Sequence, residues 1–218
     1  RRQRQMCIRD RVILGLDPDV IIGNSKFSEE VMSQLNKIAV TLPYSHISSN
    51  WKDNLLALGE IADKKDEANK LISEYEAKAS KKKEDIENKY KDQNILVIRV
   101  RKALMYVYPA DVYLNPVLYT DLGLKVPDIV TQAKAQAELT IETLAEINPD
   151  AIFLQFETSE NTDAPESLNE LLENPIFKNL EAAKNNNVFV NTVEPLAQGG
   201  TAWSKVRFLD AVVDNLLK

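Results

Sequence analysis

The sequence predicts an α/β fold made of two similar lobes that are joined by one long helix. Three observations support this prediction: a segment that occurs twice, a long amphipathic stretch between the two copies, and apolar runs that alternate with helical patterns. With 218 residues, the chain is long enough for one large domain or two small ones.

The repeat pairs residues 12–22 with residues 143–153. Each copy has the pattern of a helix end, then Asp-Pro-Asp at 17–19 or Asn-Pro-Asp at 148–150, then a short apolar run. Proline ends a helix and favours extended geometry in the residue before it. The apolar run predicts a strand that is buried on both faces of a parallel sheet. Each copy is followed by a helix and a further strand, so each predicts a β-α-β unit.

The stretch over residues 51–90 places apolar side chains at spacings of three and four, with charges elsewhere. It predicts an amphipathic helix, and Gly59 and Asp63 favour a break near its first turns. At a rise of about 1.5 Å per residue, an unbroken helix would extend roughly 50–60 Å, enough to connect two lobes.

The remaining elements are predicted from shorter patterns. We expect helices over 28–35, 118–122 (stopped by Gly123), 167–172, 177–183 and 202–217, and strands over 38–42, 94–100, 105–108 and 188–191.

Composition excludes several classes of function. The net charge is −6 and the basic residues are dispersed, which argues against a nucleic-acid partner. One cysteine and one histidine exclude an internal disulfide and a metal cluster of cysteine or several imidazoles. No catalytic constellation is visible, because Asp17 and Asp19 flank a turn proline and Gly199-Gly200 is too short for a phosphate loop.

Residues 1–11 differ from the rest of the chain. They contain five arginines and one aspartate, show no helical or strand period, and hold the cysteine. We interpret this segment as a non-native leader and expect the genuine sequence to start at Val12. A basic arm for nucleic acid or anionic lipid is the alternative.

Two pairs of side chains are the candidate site residues of the central strands. Arg99 and Arg101 alternate within an apolar strand, so they share a face and need an oxygen-rich partner. That partner is either a bound ligand or a neighbouring carboxylate. Tyr106 and Tyr108 alternate on the next strand, where they either line a cleft or pack in the core with satisfied hydroxyls.

Four motifs, in this order, resemble one protein family. They are Leu118-Tyr-Thr-Asp-Leu-Gly-Leu124, Ile141-Glu-Thr-Leu-Ala-Glu-Ile-Asn-Pro-Asp150, the stretch from Asn174 to Asn191 that begins Asn-Pro-Ile-Phe, and Gly199-Gly-Thr-Ala-Trp203 continuing to Val212. Together they resemble the binding proteins of ABC importers that take up siderophores, haem and cobalamin. The last motif is similar to the close of the iron-hydroxamate branch.

The resemblance implies two Rossmann-like α/β lobes joined by a long backbone helix, the class III periplasmic-binding-protein type. It divides the chain into a leader (1–11), a partial N-terminal lobe (12–50), an interlobe helix (51–92) and a C-terminal lobe (93–218). Family members begin with a further strand and helix, so we expect the first lobe to be incomplete here.

The resemblance also implies a function: the extracytoplasmic component of an ABC importer, which captures a ferric siderophore of hydroxamate type and delivers it to a permease. Iron arrives chelated, so no intrinsic cofactor or metal ligand is expected. The implied protein is monomeric, and is either a membrane-anchored lipoprotein or periplasmic. Arg99 and Arg101 would bind chelating oxygens, Tyr44, Tyr106, Tyr108 and Trp203 would form aromatic walls, and Glu142 would dock on the permease.

Each of these roles has an alternative. Trp203 would otherwise anchor the start of the last helix, and Glu142 would be a solvated carboxylate favoured at a helix N-terminus. A cobalamin or haem carrier of the same architecture is the second reading of function, although it leaves the two arginines hard to explain. An α/β enzyme or interaction module is the third, and the lack of a glycine-rich turn after either strand argues against it.

Overall fold

The computed structural model describes residues 11–45 and 47–218. Residues 1–10, which form most of the expected leader, and His46 lie outside the described residues.

The larger of two sheets forms the centre of the C-terminal part. Its five strands are β3 (Ile95–Arg101), β4 (Leu104–Val107), β5 (Ala137–Leu139), β6 (Ala151–Phe156) and β7 (Val188–Val190). Across the sheet they are ordered β5-β4-β3-β6-β7. β3, β6 and β7 are parallel, whereas β4 is antiparallel to both β3 and β5.

The neighbouring strands β3 and β6 are buried almost throughout, as their mainly apolar sequences require. Phe153 of β6 is fully buried, and its ring centroid lies 5.2 Å from that of Phe208 in an edge-to-face arrangement. Phe208 belongs to the last helix, which therefore covers the same sheet face as Phe153.

The helices follow the predicted order, but the helix expected over 177–183 is two short helices, Pro175–Lys178 and Glu181–Lys184. They are α1 (Glu29–Leu35), α2 (Trp51–Ile61), α3 (Lys65–Tyr90), α4 (Asp128–Gln132), α5 (Ile141–Ile147), α6 (Ser167–Glu173), α7 (Pro175–Lys178), α8 (Glu181–Lys184) and α9 (Ala202–Leu216). In the part of the chain that the structure describes, none of them combines the length and the apolar character needed to cross a lipid bilayer.

The smaller sheet corrects one prediction. β1 (Val20–Asn24) and β2 (Val40–Tyr44) pair in parallel, but Val20 is 37% exposed and Ile22 is 46% exposed. The expectation of a strand buried on both faces is therefore wrong for the first copy of the repeat. α1 packs against this sheet, and the other described residues leave much of its apolar surface in solvent.

The repeat itself is confirmed by backbone geometry. Asp17 and Asn148 precede equivalent prolines, and both adopt left-handed conformations, with φ of 46° and 44°. In each copy a helical turn ends before this residue, and a strand begins within four residues after it. Left-handed residues at helix ends are common, and asparagine and aspartate tolerate that conformation better than most side chains.

The long helix is interrupted near the site that the sequence indicated. α2 ends at Ile61 and α3 begins at Lys65, and Asp63 takes a φ of 54° between them. Trp51 begins α2, is 3% exposed and packs edge-to-face on Tyr75 of α3. The sequence patterns missed β5 and α4, and the expected short helix at 118–122 is a π-helical segment over Val117–Asp121.

A buried lysine lies where α9 packs on α2 and α3. Lys205 is 1% exposed, and burial lowers the pKa of its ammonium group to about 8, although the charge of Asp121 opposes this change. Below pH 8 the folded protein must hold this ammonium charge away from water. As pH rises above 8 the folded form loses the proton first, so the energetic cost declines until the unfolded chain also deprotonates near its ordinary pKa.

Replacing Lys205 by methionine tests this account. We expect Lys205→Met to increase the free energy of unfolding at pH 7 by up to about 3 kcal/mol, with the gain disappearing towards pH 10.5. Urea unfolding at several pH values would measure it, with exposed Lys125→Met as the control. A variant that is less stable than the parent at pH 7 would contradict the account.

Candidate functional site

The turn between β3 and β4 builds one side of the candidate site. Lys102 and Ala103 both have positive φ, 52° and 58°, as a two-residue hairpin turn that matches the strand twist requires. Asn161 holds this turn: its side chain accepts from the Ala103 amide at 3.0 Å and donates to the Val100 carbonyl at 3.2 Å. Since Asn161 is 1% exposed, these bonds form away from water.

The same contacts place Glu160 over the end of β3. Glu160 lies in the 3-10 turn Thr158–Glu160 that follows β6, and its carbonyl accepts from the Lys102 amide at 3.2 Å. Its carboxylate receives two hydrogen bonds from Arg99, from Nε at 3.0 Å and from Nη2 at 2.6 Å. This is the bidentate arrangement that best fits a guanidinium to a carboxylate.

Arg99 is enclosed by protein. It is 6% exposed, Nη1 donates to Gln198 at 3.2 Å, and its guanidinium lies 5.6 Å from the centre of the Tyr113 ring. Burial is the largest single influence and opposes its charge, but the hydrogen bonds to Glu160, together with electrostatic interactions with Tyr113, Tyr108 and Glu160, hold the pKa of Arg99 above its ordinary value. Of the two partners that the sequence left open, a neighbouring carboxylate is the one that this structure provides.

Arg101 stands in a different position. Its side chain is 45% exposed, and its Nε lies 3.7 Å from the carboxylate of Glu160. The two arginines therefore share one carboxylate, and Arg101 keeps most of its donors for solvent or a ligand. Alternation along β3 puts both on one sheet face, as the sequence predicted.

The tyrosines extend this surface across β4. Tyr106 is the register partner of Arg99 and is half-buried. Tyr108 is 9% exposed, and its hydroxyl donates to Gln136 at 3.3 Å. The rings of Tyr108 and Tyr113 lie 4.8 Å apart, so Tyr108 belongs mainly to the core.

Gln155, the partner of Arg99 on β6, is fully buried, and neither side-chain polar atom has a hydrogen-bond partner.

The segment before α9 connects the two sheets. Gln198 contacts Arg99, and Gly199 takes a φ of 72° where its backbone lies against the carbonyl of Tyr113. The hydroxyl of Tyr44, at the end of β2, donates to the Gly200 carbonyl at 3.4 Å. Burial raises the pKa of Tyr44. Tyr44 is thus held beside the segment that also holds Arg99.

Trp203 lies on the first turn of α9, which is capped by Thr201 and Ser204. Its side chain is 51% exposed, and the guanidinium of Arg207 lies 5.8 Å from the centre of its ring. Both residues line a surface cavity of about 310 Å³ with Thr192, whose hydroxyl has no hydrogen-bond partner. An exposed tryptophan with an adjacent cation is available to contact a ligand.

Glu142 is exposed in the first turn of α5. It lies apart from the arginines, at the N-terminus of the helix that follows β5. Within residues 11–45 and 47–218, no group of three histidine, cysteine, aspartate or glutamate side chains could hold a metal ion. A ligand at this site would meet guanidinium, amide and aromatic groups beside the carboxylate of Glu160.

Several site residues were missed by the sequence patterns. Glu160, Gln198, Tyr113 and Arg207 all contact a predicted residue, but none belongs to a recognisable motif. One signal was available for Glu160: polar residues that follow a buried parallel strand collect at its carboxyl edge, where ligands of α/β proteins bind.

The comparison with known families settles the class of this chain. A family model described as "Periplasmic binding protein" matches residues 12–193. The chain belongs to the periplasmic binding protein family.

Relatives and solved structures agree with this assignment. The iron-uptake system-binding protein of Bacillus subtilis is 49% identical over 204 residues, which cover 94% of this chain and 64% of the relative. The crystal structure of the B. subtilis triscatecholate siderophore binding protein FeuA, complexed with ferri-bacillibactin, superposes with a TM-score of 0.86 at 48% identity, covering 95% of this chain and 74% of that one. The B. subtilis iron(3+)-hydroxamate-binding protein YxeB is 28% identical over 216 residues, 94% of this chain and 65% of the relative.

These comparisons confirm the predicted fold, a class III periplasmic binding protein with a mixed sheet and a long helix. The relatives are named as binding proteins and not as enzymes, as the sequence predicted. This chain spans less than two thirds of the length of these curated relatives.

Two glycines with the same backbone conformation test how the Gly199 segment supports the site. Gly199 and Gly123 both have a φ of 72°, so alanine is strained at either position. A Cβ at Gly199 would meet the Tyr113 carbonyl, whereas a Cβ at Gly123 would meet the flexible side chains of Glu87 and Lys83. We expect Gly199→Ala to lower the free energy of unfolding by at least about 1 kcal/mol more than Gly123→Ala. Urea denaturation measures both, and equal losses would contradict the close packing.

Proposed function

We propose that this chain is part of the extracytoplasmic substrate-binding component of an ABC importer that captures a ferric siderophore. The observation that carries the proposal is the half-exposed Arg101 beside the Arg99–Glu160 pair, at the carboxyl edge of the central strands. Membership of the periplasmic binding protein family and 49% identity to an iron-uptake system-binding protein support it. The iron would arrive already chelated, so the protein would recognise the organic shell and its charge.

Ligand charge favours a ferric triscatecholate. Three doubly ionised catecholates around Fe³⁺ leave a complex with charge −3, whereas three hydroxamates leave a neutral one. Arg101 and Arg207 both reach the surface, and guanidinium groups bind anionic oxygens with several donors in one plane. The 48% identity to FeuA, solved with ferri-bacillibactin, supports the same choice.

A ferric hydroxamate is the second candidate, and it is the ligand expected from the sequence motifs. Glu160 neutralises the charge of Arg99 through two hydrogen bonds, which reduces the attraction of the site for an anion. The similarity to YxeB also favours this candidate. Either complex would pack its organic shell against Trp203 and Tyr106, the more exposed aromatic residues of the site.

Delivery to a permease completes the proposed role. Glu142 is exposed at the N-terminus of α5, where an arginine or lysine of the permease could approach its carboxylate. The family supports a place outside the cytoplasmic membrane, either free in the periplasm or held by a lipid anchor.

Titration of the full-length protein with ferri-bacillibactin and with a ferric trihydroxamate tests this function. Of the two tryptophans in these 218 residues, Trp203 is 51% exposed and Trp51 is 3% exposed, so Trp203 is the one that a bound ferric complex should quench. We expect Arg101→Ala to weaken binding of the triscatecholate at least tenfold, about 1.4 kcal/mol, and binding of the neutral hydroxamate less than threefold.

Lys125→Ala is the matched control, because it removes one exposed positive charge that lies away from the arginines. It should leave both affinities unchanged. If Arg101→Ala weakens binding of both ligands by the same factor, the charge of Arg101 does not select between them. If neither ferric complex quenches the parent protein, the proposed function is wrong.

A further inference from the structure

One carboxylate serves both arginines of the candidate site. Oε1 of Glu160 lies 2.6 Å from Nη2 of Arg99 and 3.7 Å from Nε of Arg101. The first distance is that of a charge-assisted hydrogen bond, whereas the second exceeds the range of a hydrogen bond. Arg101 is therefore attracted to Glu160 by charge alone, and its side chain stays 45% exposed.

The backbone keeps this carboxylate in place. The carbonyl of Glu160 accepts from the Lys102 amide at 3.2 Å, and the next residue, Asn161, is almost fully buried and hydrogen-bonded to the β3–β4 hairpin. Two hydrogen bonds from Arg99 also fix the carboxylate itself. A ligand that reaches Arg101 would therefore meet Glu160 where it stands instead of displacing it.

Glu160 also borders the space that a ligand would enter. Arg101 and Glu160 both line a surface cavity of about 520 Å³, together with Lys102 and Asp163. Lys102 and Asp163 are exposed and opposite in charge, so solvent and salt screen their effects. The side chain of Glu160 is 17% exposed and that of Arg99 is 7% exposed. Of this pair, the negative partner is thus the one that an incoming ligand approaches.

The effect of this carboxylate depends on the charge of the ligand. A ferric triscatecholate is a trianion, and oxygens that approach Arg101 also approach Glu160. Repulsion by Glu160 grows with the charge of the complex, and water screens it less at a partly buried group than at an exposed one. A neutral ferric trihydroxamate experiences little of this repulsion.

We propose that Glu160 is a specificity-determining residue for ligand charge: its fixed carboxylate lowers the affinity of the site for anionic ferric complexes relative to neutral ones. The inference rests on the proposed capture of a ferric siderophore and names the group that limits the attraction exerted by Arg101. The same carboxylate then has two roles, because it satisfies the buried charge of Arg99 and places a negative charge beside Arg101.

Glu138 provides a matched control on the same face of the sheet. It is the register partner of Tyr106, which is the register partner of Arg99, so the three side chains share one face. Glu138 is exposed, and in the part of the chain that the structure describes it forms no ion pair with an arginine. Glu138→Gln and Glu160→Gln therefore make the same change of charge and differ in contact with the arginines.

Titration of the full-length protein with ferri-bacillibactin and with a ferric trihydroxamate, followed by tryptophan quenching, measures the selectivity. The selectivity ratio is the Kd of the trihydroxamate divided by the Kd of ferri-bacillibactin. We expect Glu160→Gln to raise this ratio by about tenfold or more, and Glu138→Gln to change it by less than about threefold. Glu160→Asp keeps the charge, so it should also change the ratio by less than about threefold.

A purely structural role of Glu160 would alter both affinities together and leave the ratio unchanged. The inference is overturned if Glu160→Gln has the ratio of the parent. It is also overturned if Glu138→Gln raises the ratio as much, which indicates general electrostatics, or if Glu160→Asp does, which indicates altered shape instead of charge.

A second variant keeps the test valid if Glu160→Gln does not fold, because that change leaves the buried guanidinium of Arg99 without its carboxylate. Arg99→Met combined with Glu160→Gln removes both polar groups. The ratio should still rise, since Arg99 is only 6% exposed whereas Glu160 lines the cavity. An unchanged or lower ratio in the folded double variant would overturn the inference and leave the transport function standing. A parent that binds neither ferric complex would overturn the transport function itself.

Discussion

A guanidinium group inside an apolar strand is the constraint around which this lobe is organised. Arg99 is flanked by Ile98 and Val100 and is almost fully enclosed. An uncompensated charge in that place would cost several kcal/mol, so the chain must supply partners for its donors. Glu160 and Gln198 do so, and they come from segments 61 and 99 residues away in sequence.

Those partners determine the surrounding backbone. Glu160 needs the turn after β6, which Asn161 fixes against the β3–β4 hairpin through hydrogen bonds to Val100 and Ala103. Gln198 needs the segment before α9, in which Gly199 lies against Tyr113 and Gly200 accepts a hydrogen bond from Tyr44. One buried charge thus couples the hairpin, two loops and the edge of the smaller sheet. Arg99 is therefore assigned to the framework of the site, and Arg101, on the same face but exposed, is available to a ligand.

Sequence patterns predicted the features that depend on local chemistry. Asp17-Pro18 and Asn148-Pro149 both produced a left-handed residue at a helix end, and the break after Gly59 was visible as well. Contacts between distant segments could not be predicted in the same way. Which residue pairs with Arg99 depends on where β6 ends and the chain turns. No sequence motif around Glu160 indicates the position of that turn. Similarly, the turn at Lys102 and Ala103 lacks the glycine that normally identifies its type. Exposure of β1 and β2 depends on which elements cover that sheet, which their own apolar residues do not show.

A double-mutant cycle on Arg99 and Glu160 tests the central claim most directly. Arg99→Met, Glu160→Gln and the combined variant would be unfolded in urea at neutral pH. If the pair is the buried framework contact, each single change leaves a polar group without its partner. The double variant should then be more stable than the sum of the two losses indicates, by at least about 2 kcal/mol. Losses that add within about 0.5 kcal/mol would contradict the claim, and would mean that the two side chains contribute to stability independently.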